Sequence, residues 1–202
     1  MKKTFFILSF LFLGFQLWCG EFIYEQITEN NCIITLFSES INENGENVST
    51  ERYRIEIINN LYQTKIETGW LPSRPPPRLY WENNNLFRIN LGSGLAPSIY
   101  SYFYSRELHI LSREYNLATG VIDKNNNLIL CAEFEFTIYN IFFPEKNIVL
   151  NTPDDSGGGI LWFRIAQNTH FENKMLFLEY HDENWDLKSK IYNLEETNLY
   201  YR

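Results

Sequence analysis

Short apolar runs separated by polar turns fill the chain after residue 20, and this pattern restricts the possible folds more than any other feature. The chain contains 16 phenylalanines and 13 tyrosines but little alanine, a composition typical of strands and poor for helices. The runs are five to nine residues long and are interrupted by Asn-rich, Gly or Pro segments, as expected for strands joined by tight turns. The pattern therefore predicts an all-β, antiparallel fold, arranged as a sandwich or a barrel-like domain.

The same pattern places the individual strands and turns. Asparagine tolerates the left-handed conformation that hairpin tips need, so we expect tips at residues 59–60, 83–85 and 123–127. The polar residues 42–50 are expected to form a solvated loop, and residues 105–115 fit either a short helix or a bent strand. Predicted strands occupy residues 22–28, 32–38, 52–58, 61–67, 79–82, 86–91, 98–104, 118–123, 127–133, 135–142, 147–151, 160–166, 174–180, 186–193 and 197–201.

The N-terminal segment has the layout of a bacterial secretory signal peptide. Lys2 and Lys3 precede an apolar run, and no further charge occurs before Glu21. The run is shorter than the about 20 apolar residues that span a bilayer, and it is typical of a cleaved export signal. We therefore expect residues 1–20 to form a signal helix that is removed. Residues 21–202 then form a single all-β domain that is periplasmic, displayed on the cell surface or secreted.

A second interpretation of this end stays open at Cys19. Its position resembles that of the lipidated cysteine that follows the signal of a bacterial lipoprotein. Trp18 departs from the small residue that such signals carry directly before the cysteine, and Leu17 lies one place too close to it. With lipidation, the chain would be a structural lipoprotein anchored to a membrane at Cys19.

Charge and side-chain chemistry exclude several functional classes. The formal net charge is −8 and no basic stripe occurs, so we expect no nucleic-acid partner. We expect contact with a membrane only if Cys19 is lipidated. The three histidines lack the spacing of a metal site, and no nucleophile or phosphate-binding motif occurs. The sequence thus predicts no catalytic residue, no metal and no cofactor.

Cys32 and Cys131 are the cysteines that stay in the mature chain. Thiols that are exported into an oxidising compartment tend to pair. Cys131 shares one face of its predicted strand with Glu133 and Glu135, so its side chain is expected to be accessible. We predict a disulfide between Cys32 and Cys131. The alternative is two buried thiols that pack as small apolar side chains.

The most unusual segment is Pro-Ser-Arg-Pro-Pro-Pro-Arg at residues 72–78. Three consecutive prolines form a stiff, extended stretch. Arginine, tryptophan and tyrosine are enriched at binding hot spots, and all three types occur in or beside this stretch. The predicted binding residues are Trp70, Arg74, Arg78, Tyr80 and Trp81. The alternative is a rigid crossover between two sheets, with its tryptophans buried.

These features predict an exported, non-enzymatic protein that binds a protein or glycan partner at the cell envelope or outside the cell. Aromatic-rich β-surfaces suit such recognition. One alternative is an envelope hydrolase acting on glycans or peptides, which carboxylates from different strands converging in one pocket would favour. The structural lipoprotein is the other alternative.

Overall fold

The computed structural model describes residues 19–43, 46–92, 99–116, 120–132, 135–150, 165–182 and 184–200. Within these residues every regular element is a β-strand and every strand pair is antiparallel, so the all-β, antiparallel prediction is confirmed. The signal-peptide prediction falls outside the described residues except at its last two positions, which begin the first strand. No helix long and apolar enough to cross a membrane occurs in the part of the chain that the structure describes.

Each sheet is built from one continuous stretch of chain. The first sheet has the order β1 (Cys19–Glu29), β2 (Cys32–Glu43), β3 (Glu46–Asn59) and β4 (Thr64–Glu67), and β5 (Leu71–Pro72) also pairs with β3. The second sheet contains β6 (Arg78–Trp81), β7 (Leu86–Gly92), β8 (Ile99–Ser105), β9 (Ile110–Leu111) and β10 (Tyr115–Asn116), in the order β10-β8-β7-β6 with β9 also paired to β8. The third sheet contains β11 (Ile122–Asp123), β12 (Leu128–Ala132), β13 (Phe136–Asn140) and β14 (Asn147–Val149) in chain order. The fourth contains β15 (His170–Glu172), β16 (Met175–His181) and β17 (Leu187–Asn193), also in chain order.

The sheets stack as successive layers, because each middle sheet buries both of its faces. On β8, Tyr104 packs between the first and second sheets, whereas Phe103 packs between the second and third. On β12, Ile129 faces the second sheet and Leu130 faces the fourth. All four described sheets are open. The predicted barrel-like closure is therefore absent from them, and the predicted sandwich is extended into a stack of four layers.

Asparagine occupies several left-handed turn positions, one of which lies in a predicted tip. Asn30 and Asn31, with φ of 50° and 60°, form the two-residue turn between β1 and β2. Asn127, with φ of 55°, ends the predicted tip between β11 and β12. The tip predicted at residues 59–60 is wrong in detail, since β3 continues through Asn59 and the turn follows it. The side-chain amide of Asn59 is buried and its nitrogen donates to the hydroxyl of Tyr104 at 2.8 Å, while its oxygen accepts from the N–H of Leu61 at 3.0 Å. This asparagine therefore ends the strand in the core and also stabilises the turn that follows it.

Of three other local predictions, two are wrong and one is decided between its two alternatives. Residues 42–43 and 46–50 lie in strands rather than in a loop, since β2 runs to Glu43 and β3 begins at Glu46, and residues 44–45 of the predicted loop lie outside the described residues. Residues 105–115 form no helix, because a turn joins β8 to β9, which favours the bent strand of the two interpretations. The strand predicted for residues 197–201 is wrong over its described part, where the chain forms turns.

The predicted disulfide between Cys32 and Cys131 is wrong, because a whole sheet separates the two thiols. Cys32 lies in the core between the first and second sheets, and Cys131 lies in the core between the second and third. Both are present as thiols. The expected accessibility of Cys131 is also wrong, since the residue is 8% exposed. Its strand belongs to a middle layer, so the second sheet covers the face that the sequence pattern marked as polar.

We expect both thiols of a chain that begins at Glu21 to resist alkylation while the protein is folded. Burial raises the pKa of Cys32, and neither its hydrogen bond with Tyr104 nor the charge of Arg106 fully offsets this rise. The thiolate is the reactive form, so a raised pKa slows modification. Intact-mass analysis after maleimide treatment should show no rapid labelling of the native chain and two labels after unfolding without reductant. An unfolded, unreduced chain that takes up no label would contradict this prediction.

Candidate functional site

The proline-rich residues 72–78 cross from the first sheet to the second, between β5 and β6. The backbone N–H of Ser73 donates to the carbonyl oxygen of Glu51 on β3 at 3.0 Å, and the N–H of Arg74 donates to that of Gly92 on β7 at 3.1 Å. The hydroxyl of Ser73 accepts a further hydrogen bond from the N–H of Gly92 at 3.0 Å. These bonds fix the segment to both sheets and hold Arg74 in a defined place beside them.

A cavity of about 630 Å³ lies beside this crossover. Leu71 at the end of the first sheet, and Leu91 and Gly92 at the end of β7, supply apolar parts of its wall. Tyr100 at the start of β8 adds an aromatic ring. The volume falls within the range of small-molecule sites, about 300–1,000 Å³.

Charged side chains of both signs line the same cavity: Glu51, Arg52, Arg74 and Glu114. Nε of Arg74 lies 3.1 Å from Oε1 of Glu51, and these side chains are 74% and 50% exposed. An ion pair this exposed contributes at most about 1 kcal/mol to stability. Both groups can therefore turn toward a ligand at little cost to the fold.

Glu114 is oriented by a neighbouring phenol. The hydroxyl of Tyr102 donates to Oε2 of Glu114 at 3.0 Å. Burial, together with the hydrogen bond and the negative charge of Glu114, raises the pKa of Tyr102 to about 12. The phenol therefore keeps its proton at neutral pH and remains a donor. This bond occupies one carboxylate oxygen of Glu114, which lines the cavity, and the other oxygen can accept a further hydrogen bond.

The cavity can both donate and accept hydrogen bonds. The guanidinium groups of Arg52 and Arg74 donate, while the carboxylates of Glu51 and Glu114 accept. Hydrogen bonds to charged groups are stronger than those between neutral groups. Among the described residues, no group of three or more His, Cys, Asp and Glu side chains is arranged to hold a metal ion. The chemistry that the site offers is hydrogen bonding and, through the carboxylates of Glu51 and Glu114, proton transfer.

Arg74 is the one predicted binding residue that lines this cavity. Trp81 packs into the core between the first and second sheets, with its ring centroid 5.1 Å from that of Phe87. Trp70 lies at the first sheet, where the guanidinium of Arg54 is 5.9 Å from its ring centroid. The structure therefore places the two tryptophans in different surroundings and does not bring them together with Arg74.

Arg78 and Tyr80 lie on β6, outside the cavity. Arg78 is exposed, while the hydroxyl of Tyr80 accepts a hydrogen bond from the amide of Asn90 at 2.9 Å. The guanidinium of Arg88 is 5.6 Å from the ring centroid of Tyr80. Tyr80 is thus part of a polar network within the second sheet.

Sequence reasoning missed Glu51, Arg52, Tyr100 and Glu114. These residues lie in three separate parts of the chain and meet only because the first and second sheets stack. No motif links them, and strand pairing alone does not show which sheet edges meet. One signal was available: Gly92 follows a strand, and glycine within or at the end of a strand often marks a close approach of another backbone.

No protein-family model matches this chain, and no curated protein matches it.

Proposed function

We propose that this chain is an exported, non-enzymatic binding protein that holds a glycan in the cavity beside Arg74. The observation that carries this proposal is the balanced set of two guanidinium groups and two carboxylates around one cavity of about 630 Å³. Sugar hydroxyls both donate and accept hydrogen bonds, so they complement donors and acceptors placed side by side. A cationic ligand would be repelled by the two guanidinium groups, and an anionic ligand would be repelled by the two carboxylates. This arrangement favours an uncharged glycan.

The apolar part of the cavity supports the same ligand class. Tyr100 supplies an aromatic ring beside the polar groups, and Leu71 and Leu91 exclude water from part of the wall. Ligand sites commonly combine an apolar lining with a few fixed polar groups. The proposal includes export, because Lys2, Lys3 and the apolar run that follows them have the layout of a signal peptide.

The proposal predicts that Arg74→Ala and Glu114→Gln each weaken glycan binding by about tenfold or more, because each removes a charge-assisted hydrogen bond. The chain from Glu21 onward would be screened on an immobilised array of uncharged oligosaccharides. Calorimetry would then measure the tightest hit with the wild type and both variants.

Arg78→Ala is the matched control, since Arg78 is an exposed arginine close in sequence that does not line the cavity. Circular dichroism would verify that every variant remains folded. The proposal fails if no glycan on the array binds, or if the bound glycan keeps its affinity in both cavity variants.

A second candidate function is hydrolysis of the bound glycan. The specific observation that favours it is the convergence of Glu51 from the first sheet and Glu114 from the second on one cavity. Glycosidases use two carboxyl groups from separate elements, one as the acid and the other as the base or nucleophile. Release of new reducing ends from the tightest array ligand, abolished by Glu51→Gln and by Glu114→Gln, would replace the binding-only proposal with this one.

A further inference from the structure

Two strands leave an open edge at opposite ends of the stack. In the described sheets no strand pairs with the outer side of β1 in the first sheet or of β17 in the fourth. Apolar side chains stand exposed on both strands: Ile23 on β1 is 58% exposed, and Ile191 on β17 is 60% exposed. Open edges with apolar side chains are templates for pairing with another chain.

The two edges carry opposite charges. Every charged residue of β1 is acidic, namely Glu21, Glu25 and Glu29. Every charged residue of β17 is basic, namely Lys188 and Lys190. Pairing two β1 edges, or two β17 edges, would bring two edges of the same sign together, and this repulsion disfavours association. Pairing β1 with β17 of a second copy sets opposite charges together.

The backbone of β17 determines which residues can bond at its open edge. The N–H of Asp182 donates to the carbonyl oxygen of Asp186 at 3.0 Å, and the N–H of Leu194 donates to that of Lys174 at 2.9 Å. These two bonds lie at the two ends of the β16–β17 ladder and share its register. Bonded and non-bonded pairs alternate along an antiparallel ladder. Even-numbered residues therefore bond to β16, and odd-numbered residues such as Ile191 direct their backbone groups outward.

The same alternation applies to β1. Its two-residue turn makes Glu29 and Cys32 a bonded pair, so Thr28 and Gln26 direct their backbone groups to the open edge. A bulge then shifts the register between Ile23 and Glu25. Beyond this bulge, Ile23 lies opposite a residue of β2 that belongs to a non-bonded pair. Ile23 therefore also directs its backbone groups outward.

We propose that β17 of one copy of this chain adds to the β1 edge of a second copy, in antiparallel register with Ile23 opposite Ile191 and Glu25 opposite Lys190. In this register, outward-directed residues of one strand meet outward-directed residues of the other. The exposed isoleucines cover each other, and the glutamate lies beside the lysine. Strand addition of this kind gains affinity from backbone hydrogen bonds and specificity from side-chain pairs.

The assembly is head-to-tail, because the two paired surfaces are different. Each copy that joins brings a new open β1 or β17 edge, so growth continues past a dimer unless a ring closes. This inference is independent of the glycan cavity, which lies beside the crossover between β5 and β6. Failure of one proposal leaves the other intact.

The test is sedimentation velocity of the chain from Glu21 onward, over a wide range of protein concentration. The wild type is expected to form species larger than a dimer as concentration rises. Glu25→Lys alone and Lys190→Glu alone are each expected to weaken association by about tenfold, because each replaces an opposite-charge pair with a like-charge pair. The double variant Glu25→Lys/Lys190→Glu restores the opposite charges and should regain assembly.

Mixing the two single variants provides a sharper result. The Glu25→Lys chain retains a normal β17, and the Lys190→Glu chain retains a normal β1. The β17 strand of the first chain can still pair with the β1 strand of the second, and the two altered edges also carry opposite charges. The mixture should therefore regain assembly, with the two kinds of chain alternating. Glu145→Lys makes the same charge change in the turn between β13 and β14 and should assemble like the wild type.

Three outcomes would overturn the proposal. These are a wild type that stays monomeric at every concentration, growth that stops at a symmetric dimer, or single variants that assemble as well as the wild type. Circular dichroism and thermal unfolding of each variant would exclude loss of assembly through loss of the fold.

Discussion

Glu82→Ala is expected to lower the free energy of unfolding by about 3–5 kcal/mol, because it leaves the buried guanidinium of Arg88 without its carboxylate. Oε1 of Glu82 lies 3.1 Å from Nη1 of Arg88, and their side chains are 6% and 10% exposed. Oε2 of Glu82 lies 2.7 Å from Nζ of Lys124. Urea unfolding of the wild type and the variant measures the loss.

Packing around Arg88 explains the size of this effect. Its Nε donates to Oδ1 of Asn90 at 2.6 Å, and the guanidinium lies 5.8 Å from the ring centroid of Phe103. The second and third sheets enclose this region, so water cannot easily replace the lost carboxylate. Removing one partner of a buried pair leaves an uncompensated charge, which costs far more than the pair contributes.

Glu67→Ala is the control for Glu82→Ala, since Glu67 also contacts one arginine and one lysine. Its carboxylate lies 3.2 Å from Arg54 and 3.1 Å from Lys65, but its side chain is 50% exposed. Exposed ion pairs contribute about 0–1 kcal/mol. Equal losses of unfolding free energy in the two variants would contradict the assignment of Glu82 as a buried partner.

The same carboxylate predicts a dependence of stability on pH. Burial alone would raise the pKa of Glu82, but hydrogen bonds from Lys124 and Arg88 and their positive charges outweigh it and hold the pKa below its usual value of 4.5. A pKa that is lower in the folded state adds stability above the unfolded-state pKa, and this stability is lost as pH falls through the folded value. The difference in unfolding free energy between the wild type and Glu82→Gln should therefore be largest near neutral pH and shrink in acid. A gap that is constant or grows in acid would contradict this.

The ends of the strands could be predicted where the adjoining turn has a recognisable local sequence. Asn127 ends a hairpin tip in the place that its neighbours indicate, and residues 83–85 do the same between β6 and β7. Local chemistry suffices here, because the side chain of Asn83 accepts hydrogen bonds from the N–H groups of Asn85 and Leu86. A turn built from its own side chains needs no distant contact.

The stacking of the sheets could not be predicted from the sequence. Alternation of apolar and polar residues along a strand identifies the buried face only when the opposite face is exposed to solvent. Leu128–Ala132 is buried at every position, since the second and fourth sheets cover its two faces. The sequence pattern therefore assigned Cys131 to the wrong environment. Arg88 shows the same effect with a charged residue: it occupies a buried position on β7 because Glu82 and Asn90 satisfy its guanidinium.

Only part of the candidate site could be predicted, because the rest of it also depends on which sheets stack. Arg74 stands out through the prolines around it, but Glu51 and Glu114 become its neighbours only through the contact of two sheets. Glu51 carries a further feature that sequence does not reveal, a φ of 58° in a non-glycine residue. Long-range pairing of this kind depends on which layers meet.

Gly92→Ala is expected to destabilise the fold by about 1–3 kcal/mol and to disturb the glycan cavity as well. A Cβ atom at residue 92 would lie 2.5 Å from the carbonyl oxygen of Arg74 and 2.6 Å from Cδ of Pro75. Both atoms belong to a crossover that is bonded to two sheets, so neither can move without breaking those bonds. The alanine must therefore push the crossover away from β7 and displace the guanidinium of Arg74.

Gly69→Ala is the matched control for Gly92→Ala. No atom lies within 4 Å of a Cβ built at residue 69, and its φ is outside the left-handed region. An alanine there restricts the unfolded chain without strain and is expected to stabilise the protein by about 0.4–1 kcal/mol. Urea unfolding should therefore give shifts of opposite sign for the two variants, and calorimetry should show weaker glycan binding for Gly92→Ala alone. If Gly92→Ala unfolds at the wild-type denaturant concentration, the crossover is not held against β7 as the structure places it.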